Sequence, residues 1–377
     1  MAPAANKKFR VLIVDDSAFM RKVLEQIFNA DDQLQVVGHA KDGREAVAMA
    51  ESLKPDVITM DINMPHMDGL QATAQIMTTN PKPIVIVSSE SREGAAGSLK
   101  SLELGAIEFV GKPSSGIDLD MQNVKEELLR KVRMAAKVRV VRTASRLALT
   151  VQGANRGAEP AKPSPAVRTV SAPAIPADQR FPVVVMGAST GGPATVMRLA
   201  PGFTRDFPAA VFLVQHMPAS FTTQYAAQLA EFTSIRVKEA EPNEAVQPGT
   251  LYICPGAQHL RVTPAGRIQL DAASGRINGY LPNIDITMET VAAYAGAMSI
   301  GVVLTGMGAD GANGAKAIKS AGGMVLAQDE ATCVIFGMPA EAIKLAAVDQ
   351  VLGIDDIYAA IEKRVISICK PTPLGVK

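Results

Sequence analysis

The sequence predicts an α/β protein built from two doubly wound, mainly parallel-sheet domains. Short, fully apolar runs alternate with amphipathic stretches, the pattern of strands covered by helices on both faces. At 377 residues the chain is long for one core and suits two. A Pro-, Ala- and Ser-rich stretch with no apolar periodicity divides two such alternating halves.

In the first half, "RVLIVDD", "LQVVGHA", "DVITMDI", "PIVIVSS" and "IEFVGKP" read as strands. Between them "AFMRKVLEQIFN", "REAVAMAESL", "GLQATAQIM" and "AAGSLKSLELG" carry helical spacing, and a long helical stretch starts near Gln122. Five such units fill one doubly wound domain, residues 1–125. Residues 126–180 read as a helix followed by a linker, whose core "ANRGAEPAKPSPAVRTVSAPAIPADQ" cannot bury enough surface to offset its ordering. The rhythm resumes over residues 181–370. Strands are expected at "FPVVVMG", "AAVFLVQ", "TLYICP", "HLRVT", "RIQLD", "IGVVLTG" and "GMVLAQ", with an antiparallel insertion near 250–271. Helices are expected at "PATVMRLA", "FTTQYAAQLAEF", "ITMETVAAYAGA" and "GANGAKAIKSAG".

Composition narrows the function. The formal net charge of +1 offers no field for nucleic acid or an anionic membrane, and the absence of Trp leaves few stacking platforms. Cys254, Cys333 and Cys369 are odd in number and far apart, so neither a disulfide framework nor a metal-binding pair follows. "MAPAANKKFR" lacks a signal-peptide core, and no apolar run nears the roughly 18 residues of a membrane span. The expectation is a cytoplasmic protein without nucleic-acid partners or membrane insertion.

In the first domain Asp15, Asp16, Asp61, Ser88 and Lys112 all fall at the C-terminal ends of expected strands, the edge that faces the ligand crevice of an open α/β sheet. Converging carboxylates repel one another, and a hard cation such as Mg²⁺ would relieve that repulsion. A carboxylate can also attack phosphorus and form an aspartyl phosphate. With "DINMPHMDG" and "GKP", the pattern over about residues 8–125 resembles a response-regulator receiver domain. The resemblance implies Asp61 as phosphoacceptor, and Asp15 and Asp16 as the acidic pair, with Asp16 favoured as direct Mg²⁺ ligand. It further implies the backbone carbonyl of Asn63 as a third ligand, Ser88 and Lys112 as phosphoryl contacts, and Phe109 as the switch aromatic.

The second domain opens on "VVVMGASTGGPA", residues 183–194, in which Gly187–Gly191 is a literal G-x-S-x-G that can expose Ser189 as a nucleophile. A serine needs a base, and the chain has four His. His39 and His66 lie in the first domain, and His259 starts a strand, the wrong end for a shared crevice. His216 ends "AVFLVQ", and Asp310 follows "IGVVLTG", so Ser189, His216 and Asp310 share one sheet edge. Their chain order is not that of α/β-hydrolases, but triads depend on geometry rather than order.

A rival stands in "GMGADG", a literal G-x-G-x-x-G with Asp329 and Glu330 near the spacing of a dinucleotide site. Asp310 inside that loop would repel a pyrophosphate, whereas the loop's N–H groups could serve an oxyanion. Another reading is a non-catalytic interaction module.

"GASTGGPATV", "VQHMPASFT", "VKEAEPNEAVQPGTLYICPGAQHL", "VLTGMGADGANG" and "ATCVIFGMPAEAI" are similar to the chemotaxis methylesterases of the CheB type. That resemblance implies Ser189 as nucleophile, His216 as base and then acid, and Asp310 as its orienting carboxylate, with Thr190 and the Met307 N–H in the oxyanion region. It implies hydrolysis of glutamyl methyl esters on methyl-accepting chemoreceptors, often with glutamine deamidation, and control by a chemotaxis histidine kinase. The unphosphorylated receiver is then expected to pack over the active-site edge. Mg²⁺ belongs to the receiver, and the ester chemistry requires no cofactor. One segment departs from the family pattern: in "INGYLPNID", residues 277–285, Gly279, Tyr280 and Leu281 stand where basic side chains are usual. Losing them weakens attraction to acidic receptor helices.

Overall fold

A computed structural model describes residues 8–88, 92–112, 119–138 and 181–370. The non-helical part of the expected linker, 139–180, lies outside the described residues.

The first unit runs β1 (Phe9–Val14), α1 (Ala18–Asn29), β2 (Leu34–Ala40), α2 (Gly43–Leu53), β3 (Val57–Met60), α3 (Gly69–Thr79), β4 (Ile84–Ser88), α4 (Arg92–Glu103), β5 (Glu108–Gly111) and α5 (Leu119–Ala135). Its sheet is parallel, in the order β2-β1-β3-β4-β5. β3 and β4 are buried along their whole length, as expected of strands with a helix on each face. The helix that the sequence places ahead of the linker belongs to this core. Leu128, Val132 and Ala135 of α5 are buried in one cluster with Val11, Ile13, Leu24, Phe28, Val85 and Val110.

The second unit comprises β6 (Val183–Ala188), α6 (Gly192–Leu199), β7 (Ala210–Gln215), α7 (Ala219–Leu229), β8 (Arg236–Glu239), β9 (Thr250–Ile253), β10 (His259–Val262), β11 (Ile268–Asp271), α8 (Ile284–Ala295), β12 (Ser299–Val303), α9 (Ala312–Ser320), β13 (Met324–Gln328), α10 (Met338–Lys344), β14 (Gln350–Leu352) and α11 (Ile354–Cys369). Its seven-stranded sheet is parallel, in the order β14-β13-β12-β6-β7-β9-β8. The antiparallel element is narrower than the sequence suggests. "TLYI" is β9, a buried strand parallel to β7 and β8, and only β10 and β11 form the hairpin. β8, "RVKE", has no apolar run to announce it; it is the sheet edge, where charge protects against further pairing.

One apolar cluster spans the two units. The Phe109 ring of β5 stacks on Phe221 of α7, with centroids 4.3 Å apart and planes at 26°, and both are buried. Glu103 of α4 accepts a hydrogen bond from Gln228 of α7. Arg130 of α5 reaches the loop after β12, its Nη1 3.7 Å from Met307 Sδ.

Candidate active site

In the second unit the chain leaves β6 for β7 on one side, while β12 lies on the other. β6 is therefore the topological switch point, where the loops at the strand C-termini part and open a crevice. Ser189 follows β6, His216 follows β7 and Asp310 lies in the loop after β12. The three residues thus leave three neighbouring strands at one edge.

The Ser189 turn is pinned from several sides. Its N–H donates to Thr305 O at 3.0 Å, and its carbonyl accepts from Gly192 N at 2.8 Å and Gln215 Nε2 at 2.9 Å. Gly191 sits at φ +76°, and a Cβ there would lie 2.6 Å from Val334, so the strand-to-helix turn requires glycine on both counts. Thr305 Oγ1 donates to the Thr190 carbonyl at 3.0 Å, and the Thr305 N–H donates to Gln328 Oε1 at 2.9 Å. Gln215, Thr305 and Gln328 are buried polar residues that the sequence reading passed over. Their signal was present: each is the first polar residue after the apolar run of its strand.

The His216 N–H donates to Ala188 O at 3.0 Å, which ties the β7 end to β6. The imidazole Nε2 lies 2.7 Å from Asp310 Oδ2. Asp310 is fully buried at its side chain, yet every lone-pair direction is used. Oδ2 also accepts from the Ile284 N–H at 2.8 Å; Oδ1 accepts from the Asp285 N–H at 3.0 Å and the Gly311 N–H at 3.1 Å. Ile284 and Asp285 open α8, so the carboxylate sits on a helix N-terminus, where the backbone dipole favours negative charge. An ionised carboxylate only accepts, so Nε2 carries the proton of the neutral ring. Nδ1 is then the lone-pair nitrogen, and it is buried without a hydrogen-bond partner among the described residues. The Tyr280 ring stacks on the imidazole, centroids 4.5 Å apart and planes at 14°.

The "GMGADG" loop is not arranged as a phosphate cradle. The Gly311 N–H is taken by Asp310, and the Gly314 N–H in the first turn of α9 by Asp285 Oδ1 at 2.7 Å. Two carboxylates occupy the place a pyrophosphate would need. Burial raises the Asp285 carboxyl above its ordinary value, the Gly314 bond opposes this, and the Asp310 charge adds to the rise. Among the described residues His259 makes no hydrogen bond to a triad side chain. It is buried, with Nε2 2.8 Å from Gly275 O and Nδ1 accepting from the Asn283 N–H at 3.1 Å.

In the first unit the expected cup forms. Carboxylate oxygens of Asp15, Asp16 and Asp61 lie within 4.8 Å of one another. Lys112 Nζ bridges Asp15 and Asp61 at 2.8 Å each. Burial raises the Asp61 carboxyl above its ordinary value although Lys112 pulls it down, and Asp15 adds to the rise. For Lys112 the order reverses: burial lowers the ammonium, but bonds to Asp15 and Asp61 leave it raised. Ser88 is buried at the end of β4, and its carbonyl accepts from the Lys112 N–H at 2.8 Å. Asn63 is exposed on the neighbouring loop. Oxygen donors crowded around one cation-sized space fit Mg²⁺, with Lys112 as the cation already present.

A family model described as "CheB methylesterase" matches residues 184–361, and one described as "Response regulator receiver domain" matches residues 11–122. A protein-glutamate methylesterase/protein-glutamine glutaminase of Pyrococcus horikoshii is 42% identical over 96% of this chain and 95% of its own length. This chain belongs to the CheB methylesterase family. A homologue of the same description from Methanococcus maripaludis is 41% identical over 94% of this chain and 98% of its own. The crystal structure of the Thermotoga maritima CheB methylesterase catalytic domain is 39% identical, covers 49% of this chain and 99% of that one, and has a TM-score of 0.47. The chain joins a receiver domain to a methylesterase domain. Among the described residues no helix is long and apolar enough to cross a membrane.

Proposed function

We propose that the chain is a phosphorylation-controlled, cytoplasmic esterase that removes methyl groups from glutamyl side chains of methyl-accepting chemoreceptors, and deamidates receptor glutamines. The observation that carries this reading is the His216–Asp310 pair at the switch point beside Ser189. Ser189 Oγ attacks the ester carbonyl while His216 Nδ1 takes its proton, and Asp310 holds the imidazolium that forms. The same nitrogen returns the proton to methanol as it leaves. Water, activated in turn by Nδ1, then hydrolyses the acyl-enzyme. Thr190 and the Met307 N–H are the proposed oxyanion contacts.

In the receiver, Asp61 is the proposed acceptor of phosphate from a chemotaxis histidine kinase. Asp15, Asp16, Asp61 and the Asn63 carbonyl would hold Mg²⁺, which would screen the incoming phosphoryl charge. Ser88 and Lys112 would contact the phosphoryl group, and Phe109 would follow it as the switch aromatic. The Phe109–Phe221 stack and the Arg130–Met307 contact support a receiver that restrains the esterase until phosphorylated.

Methanol release from methylated receptor membranes, with and without a small-molecule phosphodonor, tests the reading. Release should require Ser189 and rise with the phosphodonor. Full release by the Ser189→Ala chain would refute the nucleophile, and saturable micromolar NAD(H) binding would favour the dinucleotide alternative.

A further inference from the structure

We propose that Tyr280 is a positioning residue for the imidazole of His216, a role that rests on His216 serving as the esterase base. The base must present Nδ1 to Ser189, yet with Cγ held by the chain and Nε2 by Asp310 the imidazole can still tilt about the line through those two atoms, which swings Nδ1. The Tyr280 ring removes that freedom. It lies nearly parallel to the imidazole at 14° and 4.5 Å, so any swing of the imidazole plane drives it into the phenol. An electron-rich face beside the ring also favours the imidazolium formed during attack.

The rest of the loop holds Tyr280 in place. Ile277 and Tyr280 exchange backbone hydrogen bonds, each 3.0 Å, closing a tight turn. Arg276 Nη1 donates to Gly279 O at 3.2 Å, and Asn283 Nδ2 to Ile277 O at 3.3 Å. Buried His259 grips both flanks of the loop, at Gly275 O and the Asn283 N–H. Gly308, at φ +90°, makes room for the phenol: a Cβ there would lie 2.1 Å from Tyr280 Oη. Tyr280 is half-buried and faces the charges of Asp310, Asp285 and, from the receiver, Arg130. Gly279, Tyr280 and Leu281 thus do more than remove basic charge: they place an aromatic ring on the base.

Steady-state methanol release by full-length wild type, Tyr280→Phe and Tyr280→Leu tests the assignment, with Ser189→Ala and His216→Gln in the same assay. Tyr280→Leu should lower kcat roughly three- to tenfold, as losing one aromatic stack implies, with KM nearly unchanged. Tyr280→Phe should restore kcat to within about twofold, because the ring and not the hydroxyl does the positioning. A wild-type kcat in Tyr280→Leu, a loss confined to KM, or a Tyr280→Phe chain as slow as Tyr280→Leu would each overturn it. If His216→Gln retains activity, the base reading itself fails, a separate result. An independent measurement needs no leucine variant. In ¹³Cε1-histidine-labelled wild type, with its four histidines, the His216 Hε1 proton should show cross-relaxation to the Tyr280 ring, and absence of that peak sinks the proposal.

Discussion

Two buried carboxylates, one in each domain, sit at the C-terminal edges of parallel sheets, and their charge is handled in opposite ways. Asp61 is held by a charged side chain, the Lys112 ammonium, which it shares with Asp15. Asp310 is held by three backbone N–H groups and one imidazole nitrogen. The first arrangement leaves acidic groups crowded and the ionisation of Asp61 resisted by burial, so an incoming cation or phosphoryl group changes the balance. The second is saturated: each carboxylate oxygen of Asp310 already meets two nitrogen partners. A switch and an anchor have been built from the same residue type on the same kind of sheet edge.

The largest break in this comparison comes at the anchor. Ser189→Ala should lower kcat for methanol release by about 10⁵-fold or more, and Asp310→Asn by about 10³- to 10⁴-fold. The asparagine NH₂ would also face N–H donors, so a lower urea midpoint should accompany the kinetic loss in Asp310→Asn and be absent from Ser189→Ala.

At the switch, Lys112→Met leaves Asp15 and Asp61 facing each other without their cation. A stability loss of about 3 kcal/mol is expected. Millimolar Mg²⁺ should recover most of it, because the ion replaces the ammonium, and calorimetric titration should show tighter Mg²⁺ binding than in wild type. A Lys112→Met chain that Mg²⁺ does not rescue would mean that the cup is a salt-bridge site and not a cation site.

Between the two sites, Phe221→Leu keeps an apolar side chain, somewhat smaller, and removes the interdomain stack. A cost of about 1 kcal/mol in domain association, or roughly a fivefold rise in methanol release without phosphodonor, is the expected result. Unchanged basal release would disconnect the two regions.

The smallest effect is a pH slope. Burial raises the folded Asp61 carboxyl above its ordinary value, so the folded chain holds that proton more tightly than the unfolded chain. Asp61 therefore favours folding at low pH, and that contribution is lost as pH rises from the ordinary carboxylate range through the raised value. Asp61→Asn should flatten this segment of the urea midpoint against pH; an unaltered slope would assign it to another group.

Much of this was legible in the sequence because parallel strands carry their C-termini to one edge. An acidic, hydroxyl, histidine or lysine residue at the end of an apolar run, or in the loop that follows it, can be placed there without coordinates. This held for Asp15, Asp61, Ser88 and Lys112, and for Ser189, His216 and Asp310. What stayed hidden depends on side-chain direction or on sheet neighbours. Which nitrogen of His216 meets Asp310 is a matter of rotamer. β8 escaped notice because an edge strand need not be apolar, and β9 was grouped with the hairpin because hairpin strands follow it directly. Gln215, Thr305 and Gln328 looked like strand ends and proved to be the supports of the serine turn. Tyr280 registered only as a missing charge, since a stacking partner sixty-four positions away leaves no periodic trace.

His259 has a consequence for how this enzyme can diversify. Its two hydrogen bonds go to main-chain atoms, Gly275 O and the Asn283 N–H, just outside the segment that carries Tyr280. A frame fastened by backbone at both ends leaves the side chains between for other contacts, as Arg276 makes to Gly279 O and Tyr280 to the imidazole. Substitution there is expected to change what meets the His216 ring while leaving the strand-to-helix turn at Ser189 in place.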